Sequence, residues 1–450
     1  MKFRDKKVLV VGAGISGVGA AALLLYHNAH VTLYDGNISL QEEILREKFE
    51  NSEKITIHIG ELKKEEVQDF ECVVVSPGVP LDLPVINMIK EMEIQIIGEV
   101  ELAFLLGRGE VLAITGTNGK TTTTALLGEI IQRYKKNVFV VGNIGTAYTT
   151  VANNTDEEST IVAEVSSFQL ESISTFRPKV AAVLNVTPDH LDRHHTLEAY
   201  IEAKYRILEN QTPEDVCVLN YEDEVLQMFA KRAKARVMYF SSKRKPEYGF
   251  YLKENQIVYV NEKEESVLCS TEELKILGVH NYENVMAASA MAVAYKIPFS
   301  IIREAVLAFK GVPHRIEFVC EKEGVAYYND SKGTNPDAAI KAVQAMNRPT
   351  ILIGGGYDKD SQYDEWIESF EDKIKCLVLL GATKDKIAQT AQVHGFENIV
   401  KVDTFEEAVS ASRKYAEAGD AVLLSPACAS WGMFKNYEER GDLFKKLVNQ

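Results

Sequence analysis

Apolar residues fall in short uninterrupted runs along this chain. Lys7 to Val11, His30 to Tyr34, Cys72 to Ser76, Val111 to Thr115, Asn137 to Val141, Thr160 to Val165, Lys179 to Asn185 and Val216 to Asn220 are rich in Val, Ile and other apolar residues. Runs this short, bounded by glycine, proline and polar residues, read as buried strands. Longer stretches between them read as helices. One is rich in alanine and leucine and ends near Asn28; others run from Lys120 through Tyr134, from Leu197 to Glu209 and from Asn281 to Tyr295. Strands alternating with helices predict an α/β fold.

One stretch breaks the pattern. From about Ser241 to Leu268, Tyr, Val and Ile alternate with charges, which predicts a small antiparallel sheet. After Gly311-Val312-Pro313 the alternation resumes, with strands near Val325–Asn329, Thr350–Gly354, Cys376–Leu380, Ile399–Val402 and Ala421–Ser425 and a glycine turn at Gly354-Gly355-Gly356. A chain of 450 residues is too long for one ordinary core. Three domains are expected: a Rossmann-like one over 1–100, a central phosphate-loop ATPase-like α/β sheet with the small antiparallel sheet over 101–311, and a second Rossmann-like one over 312–450. No internal repeat or low-complexity segment interrupts them.

Composition narrows the class. Hydrophobic residues make up 46% and charged residues 26%, a globular balance. A net charge of −15 argues against a general nucleic-acid or anionic-membrane binder. An anionic substrate would need local basic residues working against that field. The six cysteines are scattered and form no C-x-x-C pair, so they read as reduced thiols. The N-terminus passes from charges straight into a strand and a glycine turn, with no signal-like or membrane-spanning run. A cytoplasmic protein is expected.

The run Val111 to Thr115 leads into Gly116-Thr117-Asn118-Gly119-Lys120-Thr121-Thr122 and a helix. Strand, glycine loop, lysine and helix make a phosphate cradle. Glycines let backbone N–H groups turn inward, the helix N-terminus adds partial positive charge, and Lys120 reaches the β/γ-phosphates. The Thr121 hydroxyl is the expected Mg²⁺ ligand. The match is partial: Gly116, Gly119, Lys120 and Thr121 fit, but the earlier glycine of the general pattern is missing from Ile114-Thr115. The bland reading is a strand-to-helix turn with an exposed lysine.

Other chemistry gathers at strand tips. Glu164 ends one strand and suits Mg²⁺, which prefers oxygen ligands. Asp189 and His190 follow another, and Lys204 sits on the next helix. His190 is a less usual partner for a hard cation and could be an ordinary surface or core histidine. His194 and His195 read as loop residues. Lys204 could be a surface lysine on an amphipathic helix whose apolar face is Ile201, Tyr205 and Leu208. Near the N-terminus, Gly12-Ala13-Gly14-Ile15-Ser16-Gly17 follows the first strand and Asp35 ends the second. That spacing is a dinucleotide fingerprint. Ser76-Pro77-Gly78 is either a ligand-binding turn or a plain strand ending.

Six motifs together resemble the Mur ligase family. They are the phosphate loop, Gly142-Asn143-Ile144-Gly145, Glu164-Val165-Ser166-Ser167-Phe168-Gln169-Leu170, Asn185-Val186-Thr187-Pro188-Asp189-His190-Leu191-Asp192, Pro313-His314-Arg315-Ile316-Glu317 and Asn329-Asp330-Ser331-Lys332-Gly333-Thr334-Asn335-Pro336. The resemblance spans all three domains. Asn-Asp-Ser-Lys-Gly-Thr-Asn, with the late Leu424-Ser425-Pro426-Ala427-Cys428-Ala429-Ser430, looks like the D-glutamate-adding branch.

The resemblance implies an ATP-dependent amide ligase of peptidoglycan precursor synthesis. ATP would phosphorylate the terminal carboxylate of UDP-N-acetylmuramoyl-L-alanine, and the amine of D-glutamate would attack the acyl phosphate. It implies ATP contacts at Gly116, Thr117, Asn118, Gly119, Lys120, Thr121, Thr122, Arg315 and Asp330, and catalytic roles for Lys120, His190 and Lys204. Mg²⁺ would be served by Thr121, Glu164, His190 and Lys204, the last carbamylated by CO₂. The first glycine turn then takes a UDP pyrophosphate, with Ile15, Ser16, Asp35, Ser76 and Gly78 in that pocket. Asn143 lies toward the muramoyl or adenine end. Gly36 stands where relatives commonly have threonine. Lys332, Thr334, Lys359, Ser430 and Tyr437 match the amino-acid pocket, with Tyr437 where Phe is often found. A monomer is expected, with neither nucleic acid nor membrane insertion.

Other readings compete. A nicotinamide-dependent dehydrogenase would explain the first domain but leave the phosphate loop, Glu164 and His190 without a task. A phosphate-loop NTPase driving motion or assembly would need no amino-acid acceptor. A ligase of the same family adding another amino acid is the nearest rival, since nothing in the residues themselves expresses stereochemical preference.

Overall fold

A computed structural model of the chain describes residues 3–49, 52–143, 145–262, 264–358 and 361–450. Its strands form three sheets. β1 (Lys7–Val11), β2 (His30–Asp35), β3 (Ile55–Ile59), β4 (Cys72–Val75) and β5 (Gln95–Gly98) pair in the order β3-β2-β1-β4-β5, all parallel. β1 and β4 are neighbours, yet the chain leaves them toward opposite edges. The crevice above their carboxyl ends is therefore a topological switch point, where open parallel sheets bind ligands.

The second sheet holds β6 (Glu110–Thr115), β7 (Val138–Gly142), β8 (Thr160–Glu164), β9 (Val180–Val183), β10 (Val216–Asn220), β11 (Arg236–Ser241), β12 (Gly249–Lys253), β13 (Gln256–Val260) and β14 (Glu265–Ser270). Their order is β14-β13-β12-β11-β10-β9-β6-β8-β7. From β6 the chain runs to the outer strand β7, and from β8 it crosses back to β9, so a second switch point lies between β6 and β8. The registers Ile114↔Glu164, Thr115↔Val183 and Gly142↔Glu164 bring four strand ends level there. The small sheet expected over Ser241 to Leu268 is not separate. Its strands extend the central sheet, and β12 joins β11 in parallel. The aromatic Tyr239, Phe240, Phe250 and Tyr251 at that joint give the two strands a common surface to pack.

The third sheet holds β15 (Glu317–Lys322), β16 (Val325–Asn329), β17 (Thr350–Gly354), β18 (Ile374–Leu379), β19 (Ile399–Lys401) and β20 (Ala421–Leu424), in the order β15-β16-β20-β17-β18-β19. Only the β15–β16 edge pair is antiparallel; the other pairs are parallel. Asn329, Leu424 and Ile353 share a level, so three loops leave adjacent strand ends together.

The chain divides into two compact units. One runs to Lys253 and includes Val258–Leu268 and Asn284–Arg303; the other comprises Glu254–Ile257, Cys269–Glu283 and Glu304–Gln450. In the first, helix Glu99–Leu106 follows β5 directly, and its Val100, Leu102 and Ala103 enter a core that continues from Leu24 and Leu33 to Ile161 and Leu219. Burying this much apolar surface between two sheets makes them one body. Glu101 is buried there too, and it accepts backbone N–H groups of Ser174, Thr175 and Phe176 at 2.8–2.9 Å. No disulfide joins any of the six cysteines. Among the described residues no helix is long and apolar enough to cross a membrane.

Candidate active site

The loop after β6 is shaped by its glycines and pinned by its neighbours. Gly116 has φ 153° and Gly119 φ 85°. A Cβ on Gly119 would lie 2.3 Å from Asn284 Oδ1, so glycine is required twice over at that position. Asn185, at the tip of β9, brackets the loop. Its Oδ1 accepts the Asn118 N–H at 2.8 Å, and its Nδ2 donates to the Asn118 carbonyl at 3.1 Å. The Thr117 hydroxyl donates to the Thr187 carbonyl and accepts its N–H, so the Tyr200 hydroxyl 3.0 Å away is the donor to Thr117. Helix Lys120–Gln132 then starts without a side-chain cap, with backbone N–H groups at its N-terminus.

Two lysines meet on one carbonyl. The Lys120 ammonium donates to the carbonyls of Gly116 and Thr117 at 2.9 Å each, and Lys204 donates to Gly116 at 2.8 Å. Lys204 lies on the inward face of helix Leu197–Tyr205, only 1% exposed, with its Nζ 4.6 Å from the Tyr200 ring centre. Burial, reinforced by the Lys120 charge, lowers its pKa to about 7. The surface-lysine reading is therefore excluded.

Glu164 is 2% exposed at the end of β8, and the Asn143 amide donates to it at 3.2 Å. Among the described residues its carboxylate has no ion-pair partner. A buried carboxylate held by one amide fits a cation. Thr121 stands at the start of the neighbouring helix. His190 takes a left-handed conformation (φ 52°), is half exposed, and lies 3.5 Å from Asp189 and 4.9 Å ring-to-ring from Phe168. Among the described residues no three His, Cys, Asp or Glu side chains converge on a metal position. This donor set fits Mg²⁺, which takes few protein ligands and completes its shell with phosphate and water. His194 is not the loop residue expected: it is 6% exposed, since Phe168 and Tyr200 close over its ring. Ile144 lies outside the described residues.

The first glycine turn is also brought together as its spacing implies. The Ser76 hydroxyl donates to the Gly12 carbonyl at 3.1 Å, joining the β1 and β4 loops. Asp35 accepts the Ala13 N–H at 2.8 Å and the Asn37 N–H at 2.9 Å, so it braces the turn from the tip of β2. Ile15 is 80% exposed, Ser16 is half-buried and Gly78 is exposed, all beside this crevice.

In the other compact unit, Asp330 at the end of β16 is buried, accepting the Ser425 hydroxyl at 2.7 Å and the Ile316 N–H at 3.2 Å. Burial raises its pKa to about 7. Arg315 is exposed. Lys332 reaches over the Tyr437 ring at 5.7 Å. Thr334 is half-buried and Ser430 buried. Lys359, expected in the same pocket, lies outside the described residues. Sequence reasoning missed Arg440. It is 3% exposed and donates to the Ser331 hydroxyl at 2.9 Å, the Ser331 carbonyl at 2.8 Å and the Cys428 carbonyl at 3.3 Å, tying the β16 loop to the β20 loop. Asn185 and Tyr200 were likewise missed as individual contacts, though Asn185 stands inside a motif.

The phosphate-loop turn, the buried lysine and the buried carboxylate lie in an α/β fold whose class comparison with known proteins identifies. Residues 6–98 match the Mur ligase MurD-like N-terminal domain, 114–292 the Mur ligase middle domain and 314–428 the Mur ligase glutamate ligase domain. The chain belongs to the Mur ligase family. Curated relatives are more specific. The UDP-N-acetylmuramoylalanine–D-glutamate ligase of Lachnoclostridium phytofermentans is 56% identical over 100% of this chain and 99% of its own. The enzymes of the same name from Lachnospira eligens (53%, all of both chains) and Clostridioides difficile (47%, 100% and 99%) follow. The fold is shared with the UDP-N-acetylmuramate-alanine ligase of Thermotoga maritima (TM-score 0.58, 18% identity, 99% of each chain). It is also shared with the MurF ligase of that organism solved with ADP (TM-score 0.56, 17% identity, 100% and 96%).

Proposed function

We propose that this chain is a cytoplasmic, monomeric ligase that joins D-glutamate to UDP-N-acetylmuramoyl-L-alanine at the expense of ATP. The observation that carries the reading is the phosphate loop with Lys120 and the buried Lys204 on one carbonyl, beside the buried carboxylate of Glu164. The identity of the amino acid comes from the full-length relatives.

In this reading Lys120 leaves the loop carbonyls to neutralise the γ-phosphate, and the Gly119–Thr122 N–H groups at the helix start hold the phosphate chain. Thr121, Glu164 and His190 would hold Mg²⁺, which when bound offsets phosphate charge. The amine of Lys204, uncharged once its proton is lost, would be the group carbamylated by CO₂; the carbamate would keep one N–H for the Gly116 carbonyl and supply one negative charge shared by two oxygens, a donor suited to Mg²⁺. Ile15, Ser16, Asp35, Ser76 and Gly78 take the UDP end, with Asn143 toward the muramoyl group. Arg315 and Asp330 serve the nucleotide, and Lys332, Thr334, Lys359, Ser430 and Tyr437 the D-glutamate.

Phosphate release over a panel of amino acids, with ATP and UDP-N-acetylmuramoyl-L-alanine, tests the reaction. Release that depends on D-glutamate supports it, while release without any amino acid, or with another one only, overturns it. For the carbamate, Lys204→Ala should be nearly inactive and partly restored by acetate, whose oxygens replace those lost, whereas Lys204→Arg should stay inactive. An active arginine variant would show that the side chain works through its positive charge.

A further inference from the structure

Glu164, His190 and Lys204 lie on three separate stretches of chain, and one buried side chain touches all three stretches. The Nε2 of His194 is 3.0 Å from the Ser167 hydroxyl, three residues beyond Glu164. Its ring lies 5.4 Å from Phe168, which also meets the His190 ring at 4.9 Å and the Arg193 guanidinium at 5.0 Å. It lies 5.2 Å from Tyr200, the ring beneath the Lys204 amine. Its Nδ1 is 3.2 Å from Glu171, which Arg193 holds at 2.7 Å. The two ring nitrogens thus face the Ser167 hydroxyl and the Glu171 carboxylate, and two aromatic rings pack on the imidazole.

We propose that His194 is a positioning residue that fixes the mutual placement of Glu164, His190 and Lys204, through its bond to Ser167 and its packing on Phe168 and Tyr200. This rests on the proposed ligase reading. Partners that orient metal-binding side chains without touching the metal commonly matter 10–100-fold. His194→Phe keeps a ring and removes the bond to Ser167 and the contact with Glu171. His194→Gln places an amide near the Nε2 position, and Ser167→Ala removes the Ser167 bond from its other end.

For His194→Phe we expect kcat to fall roughly tenfold and the Mg²⁺ concentration for half-maximal rate to rise roughly fivefold, with KM for D-glutamate changed less than about twofold. Ser167→Ala should move the same two quantities in the same direction by less, and His194→Gln should recover part of the loss. Thermal melting establishes that each variant is folded; should His194→Phe not fold, the other two decide. A folded variant with a lower melting temperature but unchanged kcat and Mg²⁺ dependence would reduce His194 to a packing role and overturn the proposal. Mn²⁺ binding to the ATP-bound protein, read by electron paramagnetic resonance, needs no turnover. It therefore still tests His194 if the wild-type protein shows no D-glutamate-dependent phosphate release, a result that would overturn the ligase reading by itself.

Discussion

After β1 the chain turns through Gly12–Gly17, and after β6 through Gly116–Gly119. Both turns leave a parallel strand beside a switch point and enter a helix that has no side-chain cap. They part where charge enters. The Gly12 carbonyl accepts a serine hydroxyl, and the neighbouring Ala13 N–H is given to the Asp35 carboxylate. The Gly116 carbonyl accepts the Lys120 ammonium and the Lys204 amine. The backbone device is the same, but the first turn brings an anion to its own N–H groups and the second brings a cation to its carbonyls. A glycine spacing therefore specifies the turn, and the side chains brought to it from neighbouring strand ends and helices specify what it can hold. The second turn suits a transferring polyphosphate. The first suits a ligand that is held through hydroxyls and backbone donors and is not chemically changed.

The sharpest way to break this comparison is to remove the charge that distinguishes the turns. Lys120→Ala should lower kcat by roughly 10²–10³, the cost of losing a preorganised electrostatic contact to a transferring group. The KM for the UDP-linked substrate should stay near wild type, and circular dichroism should show an intact fold. Activity within about tenfold of wild type would mean that Lys120 does not neutralise phosphate and that the two turns do not differ in the way their charges imply.

The parts of the fold most legible in the sequence are the parts buried on both faces, although the edge strands β7 and β19 also carry apolar runs that could be read. β1, β4, β6, β8, β9, β10, β17 and β20 lie inside parallel sheets, so every side chain meets a helix and the strand reads as an unbroken apolar run. The strands missed are the edges β3, β5 and β15 and, inside the central sheet, β11 (Arg236–Ser241), whose Arg236 is exposed and whose Val237 and Tyr239 are half-buried. In β3 Ile55, Ile57 and Ile59 alternate with Thr56 and His58, β5 opens with the exposed Gln95, and β15 carries Glu317, Glu321 and Lys322. Their exposed positions remove the signal. The candidate site divides along a different line. Glycines, Lys120, Glu164 and His190 stand at strand tips in recognisable spacings, so their chemistry could be read. Asn185, Tyr200, His194 and Arg440 act by holding backbone or rings, and that role leaves no spacing. Arg440 in particular sits in a helix of mixed charges, Tyr437–Asn449, and nothing in the pattern says that its face is buried.

A second test stays inside the first turn. A Cβ on Gly17 would fall 1.7 Å from the Gly12 carbonyl oxygen, whereas one on Gly14 would meet nothing within 4 Å. Gly17→Ala must therefore push the helix away from the β1 loop. It should weaken uridine-nucleotide binding by about tenfold or more and lower the melting temperature, because overpacking of this kind costs about 1–3 kcal/mol or more. Gly14→Ala should keep the fold and binding within about threefold. Calorimetric titration with the UDP-linked substrate and with ATP separates the sites: neither substitution should change ATP affinity. A loss of ATP binding in Gly17→Ala would mean that the two turns are not independent.

The smallest effect concerns the proton that the second turn excludes. Folding lowers the Lys204 pKa from 10.5 to about 7, chiefly by burial. Between about pH 7 and 10.5 the unfolded chain therefore holds one proton more at this residue than the folded chain does. Stability attributable to Lys204 must rise with pH across that window, and the penalty is complete below it. Lys204→Met removes the ionisable group while keeping an unbranched apolar side chain. It loses the bond to Gly116 and the packing of the amine on Tyr200, but these contribute an offset that changes little with pH. The stability difference between Lys204→Met and wild type should thus favour the variant most near pH 7 and shrink by about 3 kcal/mol on going to pH 9.5. Denaturant melts in CO₂-free buffer measure it without interference from carbamylation. A difference that stays flat over this range would mean that Lys204 keeps its proton in the folded state, and that the Gly116 carbonyl holds two full positive charges at neutral pH.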